Sequence, residues 1–183
     1  MKKFSRRARI ATGGVVLAAV AAGTFGSVSA SASAPTAARA RTAAVKSSDT
    51  FTSTHLSVAA ATEAAEAVLD AAKKENQRVS VAVVDRNGNT LVTLRGDGAG
   101  PQSPESAVRK AFTAVSWNAP TSELAGRLEQ TPNLKDIPGT LFLGGGVPVT
   151  ANNAPIAGIG VAGAPSGTLD EKFARAGVAA LAG

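Results

Sequence analysis

The side chains able to do chemistry in this chain are few, and the missing ones restrict its function most. The 183 residues include no cysteine and no tyrosine, and the one methionine is the initiator. Without cysteine there can be no disulfide, thiolate zinc site, iron–sulfur cluster, covalent c-type haem attachment or cysteine nucleophile. His55 is the single histidine, so one chain cannot build a His-rich metal site. A serine–histidine triad would require His55 to leave its place beside the N-terminal tether for the core. Three constellations remain. Thr113 has Ser106, Arg109, Lys110 and Trp117 at helical steps from it, a hydroxyl flanked by two cations and an aromatic ring. The plainer role for such a threonine is a bond back to the carbonyl one turn earlier. Glu63 and Glu66 share a helix face with Asp70 four residues on. Carboxylates so spaced offer oxygen ligands to a hard cation, ferric iron included, although a solvated helix face has the same pattern. Arg95 and Asp97 flank a Gly-rich loop, where they can pair to fix it or leave Arg95 to reach a ligand carboxylate. Gly144-Gly145-Gly146 is not followed by Lys-Ser or Lys-Thr and so lacks the phosphate-loop context; a bulge or close-approach turn is expected there.

The elements that must position these groups follow from periodicity. Leu56 to Asn76 reads as a helix capped by Ser57, with Val58, Ala61, Ala65, Val68, Leu69 and Ala72 recurring at three- and four-residue steps. Lys73 and Lys74 in its last turn complement the helix dipole. Val79 to Asp85 is a β-branched strand, Asn87-Gly88 a strong hairpin turn, and Thr90 to Arg95 the returning strand. Pro104 and Glu105 open a second helix to Trp117, which carries Thr113. Pro120-Thr121-Ser122 starts a short third one to about Gln130. A short strand is expected at Leu141 to Leu143 and a last one at Pro155 to Val161. Asp170 to Leu181 forms the closing helix, with Thr168 as its cap. The order α-β-β-α-α-β-β-α with strands in hairpin pairs implies an α+β fold, an antiparallel sheet with packed helices, and excludes a doubly wound nucleotide-binding sheet.

The formal charge of +6 would suggest a nucleic-acid partner if it were spread over the domain. It is not: Lys2, Lys3, Arg6, Arg7 and Arg9 hold five of the 19 basic residues, leaving 14 against 13 acidic ones. Nucleic acid is therefore not an expected partner. Residues 1–34 read as an export signal, a basic start followed by the apolar run Ile10 to Phe25 and small-residue cleavage patterns at Val28-Ser29-Ala30 and Ala32-Ser33-Ala34. Adjacent Arg6 and Arg7 raise a twin-arginine route, with Arg9 where an aromatic is usual. Residues 35–54, rich in Ala, Ser and Thr, read as a flexible mature N-terminus. The compact domain is 55–183, and a secreted, extracellular protein is expected.

Six segments then carry a resemblance. They are the Ala-rich first helix, Val81-Ala-Val-Val-Asp85 with Asn87-Gly88, and Leu94-Arg95-Gly96-Asp97-Gly98, then Ala107-Val-Arg-Lys110-Ala111-Phe-Thr-Ala114, Gly144-Gly-Gly-Val-Pro148, and Ile159-Gly-Val-Ala-Gly163 ahead of Asp170. In this order they span 55–183, and the chain resembles the GlcG/HbpS family of haem-binding and haem-degrading proteins, which includes the C-terminal domain of PduO. The secreted HbpS type fits best. The resemblance implies a profilin-like fold, a homo-oligomer of octameric size, bound haem with slow oxidative breakdown or peroxidase-like activity, and redox and iron sensing through a membrane sensor histidine kinase. It further implies Thr113 as haem-iron ligand, as in the HbpS type, or His55, since a histidine near the first helix takes that role in the PduO branch. Arg109, Lys110 and Arg95 become candidate cofactor-binding residues, Arg109 and Lys110 for the propionates, and Glu63 and Glu66 a surface site for non-haem ferric iron. A corrinoid (cobalamin) is the alternative cofactor. Any activity is then expected from bound iron rather than from protein nucleophiles.

Overall fold

The computed structural model describes residues 44–182; the leader read at 1–34, and the tether as far as residue 43, lie outside the described residues. Within them the order is α1 (Val58–Lys74), β1 (Ser80–Asp85), β2 (Thr90–Arg95), α2 (Ser103–Trp117), α3 (Thr121–Gly126), β3 (Gly146–Ala151), β4 (Ala154–Ala162) and α4 (Gly167–Ala180). The helix and strand order expected from the sequence is the one observed. Single 3-10 turns lie at Ser47–Asp49, Arg127–Glu129 and Pro132–Asp136. Among the described residues no helix is long and apolar enough to cross a membrane.

The four strands form one antiparallel sheet in the order β2-β1-β4-β3. β1 is buried along its whole length because side chains alternate between two covered faces. Val81 and Val83 point to one face with Ile159, Val161, Val147 and Val149, where Ala61, Ala64, Ala65 and Val68 of α1 and Phe173 and Ala174 of α4 cover them. Each large apolar side chain buried there contributes about 1.5–3 kcal/mol. Ala82 and Val84 point to the other face, beneath Ala107, Ala111 and Val115 of α2. Here the approach is very close: a Cβ at Gly158 would run into the carbonyl of Ala111, and one at Gly160 into that of Ala107. Two glycines in the central strand thus let a helix backbone rest on the sheet. Pro148 sits in β3, an edge strand, where a missing N–H is tolerated.

The helix ends differ from the expected bounds for local reasons. Ser57 is extended and its side chain accepts from the Ala60 amide at 3.2 Å, so α1 starts at Val58, two residues after Leu56. Asn76 turns left-handed at φ 55°, and Ala72 O takes both the Glu75 and Gln77 amides, which closes the helix end. In α4 the cap is Ser166, accepting from Leu169 N at 3.2 Å, rather than Thr168. Asp170 then lies inside the first turn and points inward.

The strand expected at Leu141–Leu143 is not formed, and β3 begins at Gly146 instead. The backbone of 141–143 finds side chains rather than a neighbouring strand. Leu141 N donates to Thr113 Oγ1 at 2.8 Å, and Leu143 O accepts from Thr121 Oγ1 at 2.6 Å. Phe142 packs edge-on against Trp117, ring centroids 5.3 Å apart, in a satellite cluster with Ala119 and Leu124.

Candidate functional site

The α2 face read as one constellation is divided by the fold. Thr113 is fully buried; its hydroxyl donates to Arg109 O at 2.8 Å while accepting from Leu141 N. Both bonds lie within the protein and tie α2 to the link before β3, the plainer role for a helix threonine. Thr113 is therefore not presented as an iron ligand in this fold. Lys110 is turned into the interior. Its Nζ lies 2.8 Å from Asp170 Oδ2 and donates to Val161 O at 3.0 Å, with both side chains about one-twentieth exposed. Both bonds turn the ammonium inward, away from the exposed face of α2. Arg109 is exposed but engaged with Glu105 at 2.7 Å one turn earlier. Trp117 belongs to the satellite cluster.

The Lys110–Asp170 pair also accounts for the middle glycine of the triple run. Gly145 has φ 125°, and a Cβ there would come within 2.8 Å of both Lys110 Nζ and Asp170 Cβ. Gly144 meets the Gly167 backbone and Gly146 the Lys110 carbonyl and Thr121, so the run is a close-approach turn in which Gly145 makes room for the pair. Burial pushes the Asp170 carboxyl above its ordinary value, against the pull of Lys110 and of the Ala164 and Gly163 amides.

His55 has the opposite setting. It is exposed, just ahead of the Ser57 cap, and its Nε2 lies 2.7 Å from Ser53 Oγ. It stands near enough to the hairpin turn for its charge to act on Asp85. Burial would raise the Asp85 carboxyl, but bonds from the Asn89 side chain and from the Asn89 and Asn87 amides, with His55, hold it below the usual carboxylate range. Two exposed apolar side chains, Phe51 and Val58, stand three to four residues either side of His55 in the chain.

Glu63 and Glu66 are both exposed on α1. Among the described residues no three acidic, histidine or cysteine groups come together as a metal site, so Asp70 does not complete one with them. Asp70 instead lines a cavity of about 540 Å³ between the end of α1, the start of β1 and the end of β2. Arg95 lines it too, together with Lys73 and Arg78. The Arg95 guanidinium is held by Ala99 O through Nε at 3.1 Å and Nη2 at 2.6 Å, and it forms no ion pair with Asp97. Arg78 was not singled out from the sequence; the only signal was the run of basic residues at 73, 74 and 78, and its meeting with Arg95 depends on β1–β2 pairing.

A family model described as "Haem degrading protein HbpS-like" matches residues 56–179. The chain belongs to the HbpS-like family. A crystal structure of a glutamate-to-aspartate double mutant of Streptomyces reticuli HbpS is 71% identical, with a TM-score of 0.75, covering 76% of this chain and 96% of that one. The haem complex of PduOC is 27% identical with a TM-score of 0.64, covering 69% and 95%. A curated relative, an uncharacterized 15.0 kDa protein in the dhaT-dhaS intergenic region of Citrobacter freundii, is 33% identical over 121 residues, 63% of this chain and 83% of its own. The donor set of this HbpS-like chain can be tested against haem directly. Sulfur and phenolate ligands are absent from the domain and Thr113 is sealed, which leaves an accessible imidazole at His55 with apolar neighbours in sequence. Of this set His55 is the residue that would hold a haem iron.

Proposed function

We infer that this HbpS-like chain binds haem, and that it does so after export as a homo-oligomer outside the cell. The observation that carries the reading is the family match across 56–179, joined by a relative of the same fold solved as a haem complex. Geometry favours His55 over Thr113 as the axial ligand, since only the former has an accessible donor atom. Bound iron would supply the oxygen and peroxide chemistry that no side chain here offers, which makes slow oxidative haem breakdown the activity to look for. His55 would hold the iron of such a group through its ring nitrogen.

Further steps are proposals on the same footing. Assembly, with the octamer implied by the resemblance, is supported by the exposed apolar side chains Phe51, Val58, Ile137 and Leu143. Surface binding of ferric iron at Glu63 and Glu66 is supported by two exposed carboxylates three residues apart, the spacing of the two glutamates changed in the S. reticuli mutant. A membrane histidine kinase as the receiver of the redox and iron signal rests on the resemblance to the secreted HbpS type.

The test is an absorbance titration of the purified mature chain with haemin, alongside aquocobalamin. A Soret band that shifts and saturates at stoichiometric haemin supports the reading; a response to aquocobalamin alone replaces haem by a corrinoid. Loss of the band on adding ascorbate or peroxide reports breakdown.

A further inference from the structure

The cavity at the end of α1 has a composition that its place in the fold does not require. Its floor is apolar, with Leu69 and Val79, and its wall carries Lys73, Arg78 and Arg95. Asp70 and Asp97 also line it, yet among the described residues no carboxylate stands within ion-pair distance of any of these three cations. Three cations against two carboxylates leave the lining with one positive charge in excess beside Leu69 and Val79, a setting for an anion with an apolar body.

One of the two guanidiniums is held in place. Arg95 is clamped to Ala99 O by two of its N–H groups. Arg78 lies along the loop at Gly98, where φ is 75° and a Cβ would meet Arg78 Cδ at 3.0 Å and Nε at 3.4 Å. A side chain at that position would push the Arg78 head away. Two of the last carbonyls of α1, Ala72 O and Lys73 O, accept the Glu75, Asn76 and Gln77 amides.

We propose that this cavity binds a carboxylate carried on an apolar body, with Arg78 and Lys73 as the principal partners and Arg95 as the fixed wall. Two sources share that chemistry, a propionate arm of a tetrapyrrole and a free organic acid. The first rests on the haem reading and needs the iron held by His55 of a second copy, since within one chain α1 keeps His55 about 25 Å from the cavity; the second does not.

Calorimetric titration and amide NMR of the mature chain separate them. The probes are metal-free protoporphyrin, its dimethyl ester, and 3-phenylpropionate, each against wild type and a Lys73→Gln, Arg78→Gln double variant. Arg95 is left intact because it holds its own loop. For the true source, the site predicts shifts at Gly96 to Ala99, affinity lower by about tenfold in the variant, and weakening with salt. If protoporphyrin responds and its ester does not, the source is the tetrapyrrole; if phenylpropionate responds, it is a free acid. Unchanged affinities in the variant, with no shifts at 96–99 for either acid, overturn the proposal. In that event haemin binding by both proteins leaves the haem reading standing. Failure of wild type to bind haemin sinks that reading while the phenylpropionate titration still decides this one.

Discussion

Lys110 and Asp170 meet at 2.8 Å from helices on opposite faces of the sheet, so one buried ion pair joins all three layers past the end of β4. Gly145, the inward turn of Asp170 and the Val161 carbonyl are arranged around it. Such a pair adds little net stability over an apolar replacement, but losing one partner strands a charge.

Lys110→Met should therefore cost about 3–5 kcal/mol at neutral pH, measured by denaturant unfolding. In that variant Asp170 is buried without its cation, and its folded pKa rises further above the unfolded value. The penalty is then full above the folded pKa and relieved as pH falls below the unfolded one, so the gap to wild type should narrow in acid. A Lys110→Met, Asp170→Leu double variant should recover most of the loss. A gap that is the same at pH 4 and pH 7 would contradict the assignment.

Asp85 behaves in the reverse sense. Its carboxyl is held below the ordinary range by the hairpin amides it accepts from. The stability it contributes is present above the unfolded value, near 3.8, and is lost as pH falls through the lower folded one. Asp85→Asn should cost about 1–2 kcal/mol at neutral pH and lose less than wild type on acidification. Amide exchange at Asn87 and Asn89 should speed up in the same variant.

Much of this was legible from sequence, because α1, the β1–β2 hairpin, α2 and β4 each carry a strong period or turn signal. The strand expected at 141–143 failed because Leu141, Phe142 and Leu143 are apolar enough for a strand, while their backbone partners, Thr113 and Thr121, lie more than twenty residues away. Lys110 looked like an ordinary helix cation, since nothing local reveals that it reaches Asp170 sixty residues on. The cavity cations were hidden for the same reason: Arg78 and Arg95 become neighbours only through strand pairing.

Thr113→Val keeps the shape of the side chain but removes both hydrogen bonds, leaving the Leu141 amide without its partner. The expected cost is about 1–3 kcal/mol, read as a lower unfolding midpoint. The haem spectrum of the folded variant should match that of wild type. An altered spectrum would return Thr113 to the iron.

Gly160→Ala places a methyl against the Ala107 carbonyl and must lift α2 from the sheet. Overpacking of this kind costs about 1–3 kcal/mol and occasionally more. A thermal unfolding midpoint equal to that of wild type would mean that α2 sits farther from β4 than described.

The central claim is tested most directly by titrating haemin into the mature chain and its His55→Ala variant while recording absorbance. A saturating Soret shift at one haem per binding site in wild type, lost or displaced in the variant, is the predicted result. A wild-type chain that leaves the haemin spectrum unchanged would contradict haem binding, and an identical spectrum from the variant would remove His55 as the ligand.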